Sequence, residues 1–132
     1  MRYIELARQF YSVPRITAED RVEFFKKLHD DVHYVGLGKD DVRGKAKLEA
    51  LYQKYHDEKE EEGVTSLTFE IVHAAENGNT VLLDMRNTFV IGSNKFTMPF
   101  SIVLKFDEAS GLVTYWQEHY EDQRAIGTPF VG

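Results

Sequence analysis

The chain has 132 residues, 42% hydrophobic and 29% charged, enough for one domain (1–132) with a real core and too few for two. Its net charge of −6, with no lysine or arginine cluster, argues against a nucleic-acid partner, because phosphate binding needs a basic surface. The absence of cysteine removes disulfides, thiolate nucleophiles and zinc–thiolate sites together.

No apolar run approaches the ~20 residues of a membrane span, and Met1–Pro14 lacks the continuous apolar stretch of a secretory signal. The expectation is a cytoplasmic protein with no membrane partner. Tyr3, Ile4, Ala7, Phe10 and Tyr11 recur at helical spacing until Pro14 stops the run. Thr17 is placed to cap a second helix from Ala18 to about His29, with Val22, Phe25 and Leu28 on its inner stripe. Glu19 and Asp20 suit its first turn, where the helix dipole favours negative charge. Asp31–Gly38 reads as a short β-run closed by glycines. A third helix, about Lys45 to Glu61, buries Leu48, Leu51, Tyr52 and Tyr55, and its acidic tail, Asp57–Glu62, reads as a solvated end.

From Ser66 onward the pattern is β. Leu67–Ala75, Thr80–Ile91, Lys95–Asp107 and Leu112–Glu121 are separated by short Gly/Asn/Ser turns, which allow only antiparallel neighbours. Helices first and a sheet afterwards predict an α+β fold with helices on one face of a curved antiparallel sheet. Alternation puts Asp84, Arg86 and Thr88 on one side of their strand, and Trp116, Glu118 and Tyr120 on one side of theirs. A cation and an acid on apolar strands are costly to bury unless paired or used, so the reading turns both sets toward a pocket under the helices. The opposite face, with Val81, Leu83, Met85, Phe89 and Ile91, then needs a cover, and a homodimer through the convex face of the sheet is the economical one.

The element order resembles the cone-shaped α+β family of nuclear transport factor 2, and within it the SnoaL-like and limonene-epoxide-hydrolase-like branch. The likeness spans nearly the whole chain. It rests on DDVHYVG (Asp30–Gly36), RGKAKLEALY (Arg43–Tyr52), DMRNTF (Asp84–Phe89) and GLVTYWQEHYE (Gly111–Glu121). Epoxide hydrolases of this family use an Asp–Arg–Asp arrangement, with a tyrosine and an asparagine holding the attacking water. Carried over by motif, the arginine is Arg86, the aspartate after it Thr88, and the last-strand carboxylate Glu118, two residues after Trp116. The tyrosine falls on His33 and the asparagine on Val35. One carboxylate and the water-holding amide are therefore missing, which tilts the resemblance away from hydrolysis.

The expected chemistry divides among these residues. Arg86 positions and polarises with its planar, always-charged fork. Glu118 and His33 exchange protons, a histidine near neutrality standing in for the missing acid. The competing reading of each is structural: an internal salt bridge for Arg86 and Glu118, a wall histidine for His33. Asp84 is either a further acid or an anion at the rim, and Trp116, Tyr120, Phe100 and Met98 supply apolar walls or ordinary core. His29 and His33 have a zinc-helix spacing, but Gly36 and Gly38 argue that the helix has ended, so no metal is expected. No nucleotide, phosphate or serine-triad motif is present, and no cofactor is implied. The predicted protein is a cofactor-independent isomerase, cyclase, dehydratase or epoxide hydrolase acting on a small, apolar, oxygenated metabolite such as a polyketide or terpenoid. The alternative is a non-catalytic domain of the same fold that binds a small ligand or a protein.

Overall fold

The computed structural model describes residues 2–15, 17–36, 40–62 and 64–120, without the side chains of 56, 58–62, 64–66 and 120. The elements run α1 (Arg2–Ser12), α2 (Ala18–Phe25), β1 (Leu28–Val35), β2 (Asp41–Arg43), α3 (Lys45–Glu62), β3 (Val64–Asn77), β4 (Thr80–Ile91), β5 (Asn94–Phe106) and β6 (Val113–Tyr120). They form an α+β fold: three helices on one face of a single six-stranded sheet, ordered β2-β1-β6-β5-β4-β3. The β3–β6 meander is as expected. The sheet as a whole is mixed, because β1 lies parallel to β6. Among the described residues, no helix is long and apolar enough to cross a membrane.

The N-terminal half departs from expectation in two places. Thr17 does cap α2, in a reciprocal box with Asp20, but the helix ends at Phe25, where Lys27 N–H bonds the Phe24 carbonyl. Leu28 and His29 therefore open β1 rather than close a helix. The buried stripe of α2 is Phe24 and Phe25, while Val22 is 59% exposed. The chain after β1 folds back as β2, with His33 opposite Arg43 and Val35 opposite Asp41. Three residues are too short a strand to declare itself by periodicity.

The long hairpins follow turn chemistry. Gly78 and Gly92 both sit at φ 59°, in the left-handed region that a two-residue hairpin turn requires. The N-terminus of α1 is tied to β3, since the Glu76 carboxylate accepts the amides of Tyr3 and Ile4 at 2.7 and 2.9 Å. These are among the amide donors that a helix start leaves unsatisfied.

On β4 the buried residues are Val81, Leu83, Met85, Asn87 and Phe89. They face the helices with Phe100, Ile102 and Leu104 of β5 in one core. Asp84, Arg86 and Thr88 lie on the other, outer face. This inverts the sequence-based orientation. Turning four apolar side chains of β4 inward gains about 1.5–3 kcal/mol each, whereas burying a guanidinium and a carboxylate costs free energy even when they pair. The apolar side chains of β4 are thus buried within the chain itself.

Candidate functional site

The inner face of the sheet is built first from β1 and β6. Tyr34 and Trp116 are register partners in the parallel pair, so their side chains emerge on the same face. Their rings lie 4.6 Å apart, and both residues are buried. Glu118 follows two residues later on that face, and the Tyr34 hydroxyl donates to its Oε1 at 2.8 Å. The tyrosine reaches forward because the next inward position is Gly36. A Cβ there would stand 2.2 Å from the Tyr34 oxygen and 2.3 Å from two of its ring carbons, so only glycine lets the phenol lie along the strand. Burial, reinforced by the adjacent Glu118 charge and hydrogen bond, pushes the Tyr34 pKa well above its ordinary value. The phenol stays a donor, and the carboxylate stays its acceptor.

A second group comes from the helices. Arg15, in the α1–α2 connection, turns inward and is only 6% exposed. Its guanidinium carbon lies 3.9 Å from the centre of the Phe24 ring, 4.7 Å from Tyr11, and 4.9 Å from both Phe10 and Phe69. The Trp116 ring is 5.7 Å away. Cations are attracted to aromatic faces at such distances. One Arg15 Nη donates to the Phe10 carbonyl at 2.6 Å. Trp116 Nε1 donates to the Tyr11 hydroxyl at 3.0 Å, which fixes the indole. Tyr52 of α3 stacks on Phe24 at 5.5 Å. Burial raises the Tyr52 phenol, opposed by Arg15 and assisted by the Glu118 charge. Arginine, tyrosine and glutamate therefore sense one another across the interior.

The structure brings together some of the expected residues and separates others. Glu118, Trp116, Phe100 and Met98 face the interior, the last three as core. Arg86 does not. It lies outside with Asp84, which accepts from Arg86 Nη1 at 2.7 Å and sits 3.0 Å from His73 Nδ1. The His73 hydrogen bond first, and Arg86 second, hold Asp84 below the usual carboxylate range. Thr88 is also outside, its hydroxyl 3.1 Å from that of Thr97. His33 points outward to Asp41 at 2.6 Å, its ring edge-on to Tyr115, and Val35 shares that parity. The side chain of Tyr120 lies outside the described residues. His29 and His33 both fall on β1, not on a helix.

Each misplacement on β1 and β4 is a slip of one residue, which exchanges the two faces of a strand. The inward tyrosine is Tyr34, not His33, and the position two later is Gly36, not Val35. On β4 the inward pair is Met85 and Asn87, where the carry-over had put Arg86 and Thr88. Tyr34 had a legible signal in its Tyr-x-Gly spacing. Arg15 had none, since an arginine after a proline reads as a loop cation.

Two clefts on the outside of the helices, about 470 and 420 Å³, contain none of Arg15, Tyr34, Trp116 or Glu118. Among the described residues, no group of three or more histidine, aspartate or glutamate side chains is arranged to hold a metal.

Solved structures share this architecture at low sequence identity. A protein of Shewanella putrefaciens CN-32, assigned as a SnoaL-like polyketide cyclase, matches with a TM-score of 0.75 at 17% identity, covering 92% of this chain and 80% of its own. An LEH-like epoxide hydrolase of M. tuberculosis matches at 0.67 and 20% identity, covering 96% and 86%. An NTF2-like protein of Burkholderia pseudomallei K96243 matches at 0.73 and 13% identity, covering 100% and 99%. No protein-family model matches this sequence, and no curated protein matches it. Likeness at these identities establishes the fold.

Proposed function

We propose that this chain, which has the nuclear transport factor 2-like fold, is a cofactor-independent enzyme performing proton transfer on a small, largely apolar, oxygenated metabolite. The observation that carries this reading is the Tyr34–Glu118 hydrogen bond of 2.8 Å beside the Trp116 ring, on the concave face. A carboxylate in a half-apolar interior, oriented by a phenol that remains protonated, is equipped to take a proton from carbon next to a carbonyl. The C–H electron pair becomes the C=C bond of an enolate as the carbonyl π pair moves to oxygen, and in a β,γ-unsaturated compound return of the proton at the γ carbon completes an isomerisation. The likeness to a cyclase and an epoxide hydrolase supports a small-molecule enzyme. Within that class the inward Met85 and Asn87 weigh against epoxide hydrolysis, because the arginine and aspartate of that pattern are not on the inner face. The same two residues favour the second reading, a domain that binds a small ligand without turning it over.

The experiment is deuterium uptake from D2O into a panel of enolisable ketones and lactones, read by mass shift. The native protein exchanges at least one compound, and Glu118→Gln slows that exchange about 100-fold or more while still binding it. Binding with no exchange by the native protein selects the non-catalytic reading.

A further inference from the structure

Arg15 is an interior group whose polar contacts are incomplete. Arg15 is a buried cation, and no described carboxylate lies within ion-pair distance of it. Its Nε is buried without a hydrogen-bond acceptor among the described residues, and so is Nη1 of Arg21 on α2. Glu118 accepts from Tyr34. Removing a guanidinium from water is expensive unless it meets an opposite charge and saturated hydrogen bonds. The surrounding rings offset part of that cost, at about 0.5–2 kcal/mol for a close contact. A ring face accepts an N–H only weakly, so the rings do not replace an oxygen acceptor at Nε. The interior therefore supplies an apolar aromatic wall and a free donor, and among the described residues no anionic acceptor stands at Arg15 Nε.

We infer that the ligand of this interior carries a carboxylate on an aromatic or similarly flat apolar body. The carboxylate pairs with Arg15 and takes its Nε–H, with Tyr52 beside it. The apolar body lies against the Tyr11, Phe69 and Trp116 rings. A planar guanidinium and a carboxylate match edge to edge, which a neutral amide or ester of the same shape does not reproduce. This deepens the proton-transfer reading by naming its substrate class, and it rests on the concave interior being the binding site.

The test uses the single tryptophan of the chain. Trp116 lies beside Arg15, so its fluorescence reports binding there, with calorimetry as a second readout. The probes are 3-phenylpropionate and its neutral isostere 3-phenylpropionamide. The native protein binds the carboxylate at least tenfold tighter than the amide, and Arg15→Met removes that preference while still binding the amide. A second measurement on the native protein stands if Arg15→Met does not fold: the Arg15 Nε–H resonance shifts on titration with the carboxylate and not with the amide. Equal affinity for the two probes, no binding of the carboxylate, or a preference that survives Arg15→Met overturns the inference. The two proposals fail separately. Glu118→Gln leaves the carboxylate preference intact, and native exchange by that variant, or no exchange by the native protein, with the preference retained overturns only the proton-transfer reading. Exchange on neutral ketones without any carboxylate preference overturns only this one.

Discussion

The two faces of β4 are an internal experiment on what an ionic residue does in a sheet. Outside, Asp84, Arg86 and His73 form a ladder that water screens from one side, with Asp84 40% and Arg86 35% exposed in their side chains. Inside, Asn87 on β4, Tyr34 on β1 and Arg15 from the loop are buried, with the half-buried Glu118 bonded to Tyr34. Groups on the outer face gain little from pairing. Those on the inner face are stabilised only if every partner is in place. The contrast teaches that the more conspicuous cluster of charges is the less consequential one.

The largest effect that sharpens this contrast comes from the inner wall. Trp116→Ala removes a fully buried indole packed on Tyr34, Phe10 and Phe24 and lowers stability by about 3–5 kcal/mol in urea unfolding. Next is Gly36→Ala, whose methyl collides with the Tyr34 ring. It costs about 1–3 kcal/mol, and a crystal structure of the variant shows the phenol displaced from Glu118. Tyr34→Phe keeps the ring and deletes one donor to Glu118, for about 1 kcal/mol of stability and a further loss of exchange rate.

A smaller effect is set by pH. The Tyr34 and Tyr52 phenols are raised mainly by burial, so the folded chain holds these protons more tightly than the unfolded one. Their contribution is complete below the ordinary tyrosine value of about 10 and is lost as pH climbs through the raised values. Stability measured between pH 9 and 12 should therefore fall, and less steeply in Tyr34→Phe. The smallest effect belongs to the outer face: Arg86→Gln moves the unfolding midpoint less than any inner variant and leaves the exchange rate within about twofold. An outer variant that matched the inner ones would break the comparison.

The fold was legible because its signals are local and redundant. The alternation of Val81, Leu83, Met85 and Phe89, the glycines at 78 and 92, and the Thr17 cap all name the elements they form. The site was legible only in part. On β6, Trp116 and Glu118 share a parity that the buried indole fixes, and the inward assignment of both residues holds. On β4 the pattern gave two faces correctly, and the expectation of a charged pocket chose the wrong one, against the larger apolar gain. On β1 the residues Val32, His33, Tyr34 and Val35 do not alternate in polarity, so parity is set by pairing with β6, a contact with a strand at the far end of the chain. Arg15 depends on rings from α1, α2, β3 and β6 converging on one point. No window of sequence contains that information.

The most direct measurement is the deuterium-exchange rate of Glu118→Gln against that of Arg86→Gln, each confirmed as folded by circular dichroism. A drop of about 100-fold in the first, beside a near-native rate in the second, is what an inward acid and an outward arginine require. Native exchange in Glu118→Gln, or a comparable collapse in Arg86→Gln, contradicts the assignment of the chemistry to the concave face.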